Sequence, residues 1–289
     1  MINEQLVNLS NDFFQNSLDA SPTSAIMRGH KAYFDKIEEL TEEQFEIDSK
    51  NVDDYLKRLR EIELTSLSNR ERVTYGMLEF ALGSNKDSLL DKGWEFSAGV
   101  AGFTGFLIDY NQQMFIPDME SADLLLKRLE LYKRLFNQIA YVQKTGLENN
   151  RVATERNLLR TIDQLENYLD TTLENDPLLL VNFSPDISDG DISNWKEKAK
   201  VIIESNIRPS VLSYLEQLRT EHLPQGRPDD KSGIMWSEGG EDVYLRSLRK
   251  YTGHKDITVK EVHEIGMTEI VRLKKEFFEV GKNVFSEVD

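Results

Sequence analysis

Apolar residues recur along this chain at helical spacing. From Leu125 they fall at Leu129, Tyr132, Phe136 and Ile139, in steps of 4, 3, 4 and 3, which trace one stripe of an α-helix. Ser121 is a cap candidate with Asp123 in the first turn, and Gly146 is a stop, so the pattern predicts a helix over 121–144. Leu158, Ile162, Leu165 and Leu169 share a second stripe and predict a helix over 152–173. The link between the two is short, which predicts an antiparallel hairpin with the stripes facing each other.

The same period predicts further helices. Residues 3–18 carry Leu6, Leu9, Phe13 and Leu18 and stop before Ser21-Pro22, and residues 52–60 form a shorter piece. Ser68 with Glu71 makes a capping box for a helix bearing Val73, Met77, Phe80 and Ala81. Ser193 is the cap candidate for a helix through Trp195, Ala199 and Ile202. Pro209 is expected to kink that helix or open a new one, carried on by Val211, Leu212, Leu215 and Leu218 to about Thr220. Thr258 with Glu261 makes a second capping box. It opens a last helix, to about residue 280, whose face with Ile270, Leu273 and Phe277 is expected to pack inward.

Strand signals are sparse. Residues 98–116, rich in Gly and aromatics, and residues 223–241, with Pro224, Gly226, Pro228, Gly233, Gly239 and Gly240, read as loops. The second holds a short extended piece around Ile234-Met235-Trp236. The fold class expected is therefore all-α, a multi-helix array with antiparallel hairpins and very little strand. Residues 1–289 are expected to form a single helical unit with a weak seam near 182–192.

Charge removes whole function classes. Lys and Arg total 35 against 51 Asp and Glu, a net charge of −16. With no Lys/Arg cluster, that argues against nucleic acid as a partner and against docking to an anionic membrane. The absence of cysteine excludes disulfides, thiolate metal sites and a Cys nucleophile. No window approaches the ~20 apolar residues of a membrane span. The N-terminus MINEQLVNLSNDFF has no signal-peptide pattern. As written, the sequence reads as cytoplasmic, or as exported if a signal was trimmed.

Candidate chemistry is thin. His263-Glu264 begins a zincin-like pair on a predicted helix, but a zinc-binding helix needs its second His four residues on, and position 267 is Met267. His30 and His254 sit in predicted turns, and His222 ends a helix where a cation suits the dipole. No nucleophile elbow, phosphate loop or dinucleotide fingerprint occurs, and the spacing of Gly99, Gly102 and Gly105 matches none of them. No metal site and no catalytic residue is assigned. Trp236-Ser237-Glu238-Gly239-Gly240-Glu241-Asp242-Val243-Tyr244 is the most unusual segment. Paired glycines permit positive φ or close backbone approach, and Trp236, Tyr244 and Tyr251 offer rigid surface with polar tips. The combination suits a cleft for an extended peptide or small organic ligand, or a turn into a helix whose tyrosines pack in the core.

The residues from Gly233 to Thr252 and from Asp256 to Leu273 (GIMWSEGGEDVYLRSLRKYT, then DITVKEVHEIGMTEIVRL) resemble the bacterial domain-of-unknown-function 885 family. So do Ser21–Ala25 with Gly29, the helices flanking Gly146-Leu147, and residues 205–223, in the family's order along the chain. Complete members resemble helical zinc metallopeptidases, with an H-E-x-x-P-G-H-H helix downstream of the matched region. This chain ends at Asp289 without that motif, so the resemblance carries over no zinc ligand and no general base. It implies an N-terminal helical lobe of a peptide-bond hydrolase, with zinc expected only for a complete member and no activity expected of this chain alone. Gly239, Gly240, Tyr244 and Tyr251 are the residues expected to line the substrate cleft. The alternative is a non-catalytic helical module that binds peptide or protein. Phe277, Phe278, Val280, Val284 and Phe285 are expected to lack cover, which points to a missing C-terminal lobe or to self-association.

Overall fold

The structure, a computed structural model, describes residues 3–96 and 113–285, with the side chain of residue 285 excepted. The Gly- and aromatic-rich stretch assigned to loop from residue 98 lies outside the described residues as far as 112. The chain divides into two compact units, Met1–Ser232 and Gly233–Asp289, so the seam expected near 182–192 falls inside the first unit. The described residues are overwhelmingly helical, as the 3.6-residue period requires.

Three helices form one end of the first unit. They are α1 (Glu4–Ala20), α3 (Glu42–Arg60) and α4 (Asn69–Asp91). The helix expected over 52–60 is the C-terminal half of α3, which begins earlier because the Thr41 hydroxyl caps it by accepting from Gln44 N. The capping box at Ser68 and Glu71 is present, with both reciprocal bonds made. Leu6, Leu9, Val52, Leu56, Leu59, Leu78 and Leu82 bury a common core among these helices. The apolar residues Val73, Met77 and Phe80 of α4 lie outside this core, at 62%, 69% and 47% exposed. This helix is apolar on two sides, and periodicity alone does not say which side finds a partner.

The larger core lies among α2 (Pro22–Met27), α5 (Met119–Glu130), α6 (Tyr132–Glu148), α7 (Glu155–Asp170), α8 (Asp189–Ile202) and α9 (Arg208–Gln217). The single helix expected over 121–144 is thus two, α5 and α6, meeting at Leu131. Its cap is Asp118, whose Oδ1 accepts from Ser121 N at 2.8 Å, in place of Ser121 itself. The predicted stripe nevertheless runs unbroken across the junction, with Leu125, Leu129, Tyr132, Phe136 and Ile139 all buried. The helix expected over 152–173 is α7, capped by Thr154. The two stripes reach one core through α9, which packs against both α6 and α7.

α8 is capped by Ser188, five residues before the Ser193 expected. Trp195 packs it against α5 and donates its indole N–H to the Ala122 carbonyl at 2.8 Å. Of the two outcomes expected at Pro209, the opening of a new helix is the one found. A π-turn, Ile203–Ile207, precedes α9 and places Pro209 in its first turn, where a missing N–H costs least. A second π-turn, Leu218–His222, continues beyond α9. His222 closes this turn, so it stands at a helix end as expected, and it is buried there.

Among the described residues the strands form one parallel pair, β1 (Phe115–Ile116) with β2 (Asn182–Phe183), closed by Asn182 N and Ser184 N donating to Met114 O and Ile116 O, each at 2.9 Å. The Ser21–Ala25 segment is fixed by a buried polar network. Glu38 accepts from the Thr23 N–H at 2.9 Å and from the Thr23 hydroxyl at 2.8 Å, and fully buried Arg128 donates to Thr23 Oγ1 at 2.5 Å. Buried polar groups must be paired, so this cluster ties α2 and the loop before α3 to α5.

The second unit holds α10 (Gly240–Thr252) and α11 (Val259–Phe285). The capping box at Thr258 and Glu261 is formed, with Thr258 N donating to Glu261 at 2.9 Å. α11 runs past the expected end near 280. Its Ile270, Leu273 and Phe277 face does not pack inward: the three are 46%, 40% and 76% exposed. Phe278, Val280 and Val284 are exposed as well.

Candidate functional site

The Trp236–Tyr244 segment owes its shape to its glycines. Ile234–Trp236, expected to be extended, is a 3-10 turn. Ser237 N returns to Ile234 O at 2.9 Å, and Gly240 N to Ser237 O at 2.9 Å. Gly239 then takes φ +65°, a left-handed conformation that L side chains resist. At Gly240 an added Cβ would lie 1.7 Å from the Ile234 carbonyl oxygen. Both glycines are therefore required by the turn that starts α10. The Gly239 carbonyl accepts from Val243 N at 3.1 Å, and with the Gly240 N–H also engaged these groups are not open to a peptide strand.

α10 is set up electrostatically as helices prefer, with Glu241 and Asp242 in its first turn and Arg249 and Lys250 in its last. Gly253, at φ +71°, ends it by donating to Arg249 O at 2.9 Å. Tyr244 and Tyr251 lie seven residues apart, two turns along one side of the helix and about 10 Å apart on its axis. They are 45% and 85% exposed, so the alternative of tyrosines packed in a core does not hold. The structure thus gathers all four candidates on one helix and its entry turn. Its chemical capacity is that of two phenol groups on an exposed face.

The histidines are not gathered. His30 lies beside the Phe14 and Tyr33 rings, at 5.9 and 6.4 Å between centroids. His222 is buried in the first unit, while His254 and His263 are exposed in the second. Among the described residues no group of three or more His, Asp or Glu side chains is placed to hold a metal ion. Among the same residues no helix is long and apolar enough to cross a membrane.

A concave site that the sequence pattern does not reveal lies in the first unit. It is a cavity of about 350 Å³ walled by Phe45 of α3, Leu89 and Leu90 of α4, and Tyr141 of α6, with Trp94 just beyond α4. That volume is at the small end of the range for organic ligands. Trp94 stacks on Phe45 at 3.8 Å with 12° between the planes. Beneath them Glu95 is buried and pairs with Arg151 at 3.2 Å. Gly146 lets the two segments meet, since a Cβ there would stand 2.4 Å from the Glu95 carbonyl oxygen. The helical stop that Gly146 suggested is therefore a contact instead. Phe45 and Tyr141 are distant in sequence, and no local pattern joins them.

Two tyrosines of the core are perturbed by their burial. Burial, and then the Asp176 charge, push the Tyr168 hydroxyl above its ordinary value. Burial does the same to Tyr214, which donates to Gln143 Oε1 at 2.6 Å. Such groups mark structural networks as often as sites.

A solved structure described as a "putative lipoprotein" from Colwellia psychrerythraea has the same fold, with a TM-score of 0.77 at 18% sequence identity. The alignment covers 96% of this chain and 50% of that one, so the chain spans about half the length of its structural relative. A comparison with curated proteins gives no match. Residues 22–289 match the family described as "Bacterial protein of unknown function (DUF885)", and with most of its length matched the chain belongs to that family.

Proposed function

We propose that this chain is the N-terminal helical lobe of a peptide-bond hydrolase resembling zinc metallopeptidases, without activity on its own. In this reading Tyr244 and Tyr251 line one wall of the substrate cleft, and Gly239 and Gly240 hold the turn that presents them. The tyrosine hydroxyls donate to a substrate carbonyl or to an oxyanion as it forms. Zinc and the general base belong to a second half that this chain does not include. The observation carrying the proposal is the half-length match to the solved relative by a chain that belongs to the family. The description of that relative as a lipoprotein supports an exported protein over a cytoplasmic one.

The second reading is a non-catalytic module for peptide or protein. What favours it is the aromatic cavity at Phe45, Trp94 and Tyr141, which is walled by this chain's own residues. The test is the DNA downstream of codon 289, followed by assay of the complete gene product. An in-frame H-E-x-x-P-G-H-H, with stoichiometric zinc and zinc-dependent peptide hydrolysis in the full product, supports the hydrolase. A stop codon, or a full product that cleaves no peptide, overturns it and leaves the module.

A further inference from the structure

The outward side of α4 carries a regular seam. Arg70, Val73, Met77, Phe80, Ser84 and Asp87 succeed one another in steps of 3, 4, 3, 4 and 3, the a and d positions of a heptad repeat. Val73, Met77, Phe80 and Ser84 share an arc of roughly 60°, opposite the Leu78 and Leu82 side that packs on α1 and α3. Arg70 and the apolar Val73, Met77 and Phe80 are exposed, while Ser84 and Asp87 are partly exposed. Gly76 lies at one flank, where an added Cβ would meet nothing within 4 Å. Neither Arg70 nor Asp87 has an ion-pair partner among the described residues.

The order along this seam is self-complementary. In an antiparallel coiled coil each a residue shares a layer with a d residue of the facing helix. With a two-fold axis midway between Met77 and Phe80, Met77 meets the partner's Phe80, Val73 meets the partner's Ser84, and Arg70 meets the partner's Asp87. The apolar layers are central and the opposite charges close both ends, so each copy supplies the counter-charge the other lacks. Only the antiparallel register does this, since parallel pairing would set Arg70 against the partner's Arg70. We infer that α4 is a docking surface for a second copy of this chain, which joins through an antiparallel two-fold contact of the α4 seams. The contact is isologous, as two-fold interfaces are. A methionine-aromatic layer at its centre is a favourable one. It does not depend on the hydrolase reading.

The absence of cysteine makes the test clean. A chain carrying Val73→Cys and Ser84→Cys together places the two thiols about 16 Å apart on one helix, too far for a disulfide within a copy. Mild oxidation is expected to give a covalent dimer. Sedimentation of the unmodified chain is expected to show the mass doubling with rising concentration, and Met77→Glu to weaken association at least tenfold with an unchanged helical spectrum. Arg70→Asp should weaken it too, and adding Asp87→Arg to that variant should restore it. A monomer at every concentration up to roughly 100 μM overturns the inference. So does a dimer that survives Met77→Glu, including one lost instead in Phe277→Glu, which would place the contact on α11. Failure of Arg70→Asp with Asp87→Arg to recover association overturns the register.

Discussion

Arg208 grips Asp176 through Nε and Nη2 at 3.2 and 2.9 Å, and the carboxylate is sealed from solvent. The same guanidinium donates to the Thr171 carbonyl at 2.7 Å, and Asp176 Oδ1 accepts from Leu178 N at 3.1 Å. The pair thereby fastens the link between α7 and α8 to the start of α9. Removing one partner strands the other as a buried charge, which costs more than the pair itself gains. Arg208→Met is expected to destabilise the protein by about 3–5 kcal/mol in urea unfolding. A loss below about 1 kcal/mol would mean that water reaches Asp176 freely.

Leu129 and Val201 make a second contrast. Leu129 is fully buried on the α5 stripe, and Val201, on α8, is 65% exposed. Leu129→Ala removes packed atoms from a closed core and is expected to cost about 2–5 kcal/mol. Val201→Ala removes atoms already in water and should fall within about 0.5 kcal/mol. Equal costs in a denaturant series would refute this assignment of the core.

These residues also show which features were legible before folding. The capping boxes at Ser68 and Thr258 were, because both partners lie three residues apart and answer only to local geometry. The Leu125–Ile139 stripe was, because five apolar residues fell on one face and a core was available. The break at Leu131 was not, since neither Pro nor Gly marks it. The same period misassigned Phe277, because spacing identifies an apolar side and says nothing of what lies opposite it. His222 ends a helix as its position implied, but the π-turn that buries it there is a tertiary event that left no local signal. At the candidate site, the glycines flagged for backbone freedom did need it, one for φ and the other for close approach. The Phe45, Trp94 and Tyr141 cavity is built by long-range contact and left no periodic trace.

Glu71 gives a prediction in pH. Its carboxylate accepts from Asn3 N at 2.7 Å and from Ser68 N at 2.9 Å, tying the start of α1 to the cap of α4. The Asn3 N–H first, and then the Ser68 hydroxyl and N–H, lower its pKa from 4.5 to about 2. A depressed folded-state value means the stabilisation is fully present above the unfolded value near 4.5. It is lost as pH falls toward 2, when protonation removes the acceptor. Glu71→Gln should therefore flatten the fall in stability between those limits while leaving the curve above pH 6 parallel to that of the unmodified chain. An identical acid limb in both proteins would show that this bond does not drive it.

The turn at Gly240 separates structure from function within one segment. Gly240 faces the Ile234 carbonyl, which is backbone on a hydrogen-bonded 3-10 turn and cannot swing aside as a flexible side chain would. Gly240→Ala must move that turn off the start of α10, and overpacking of this kind typically costs about 1–3 kcal/mol. The loss should appear locally, as faster hydrogen exchange at the Val243 amide that bonds the Gly239 carbonyl. Tyr251 is the opposite case. Its ring is 85% exposed, so Tyr251→Phe should leave stability within about 0.5 kcal/mol and the Val243 amide unchanged. If its hydroxyl donates to a forming oxyanion, the same change in a complete, zinc-loaded hydrolase should lower kcat by roughly 10²-fold with little effect on KM. An unchanged kcat beside intact stability would remove Tyr251 from the cleft, and leave the paired glycines with the conformational role that their geometry already demands.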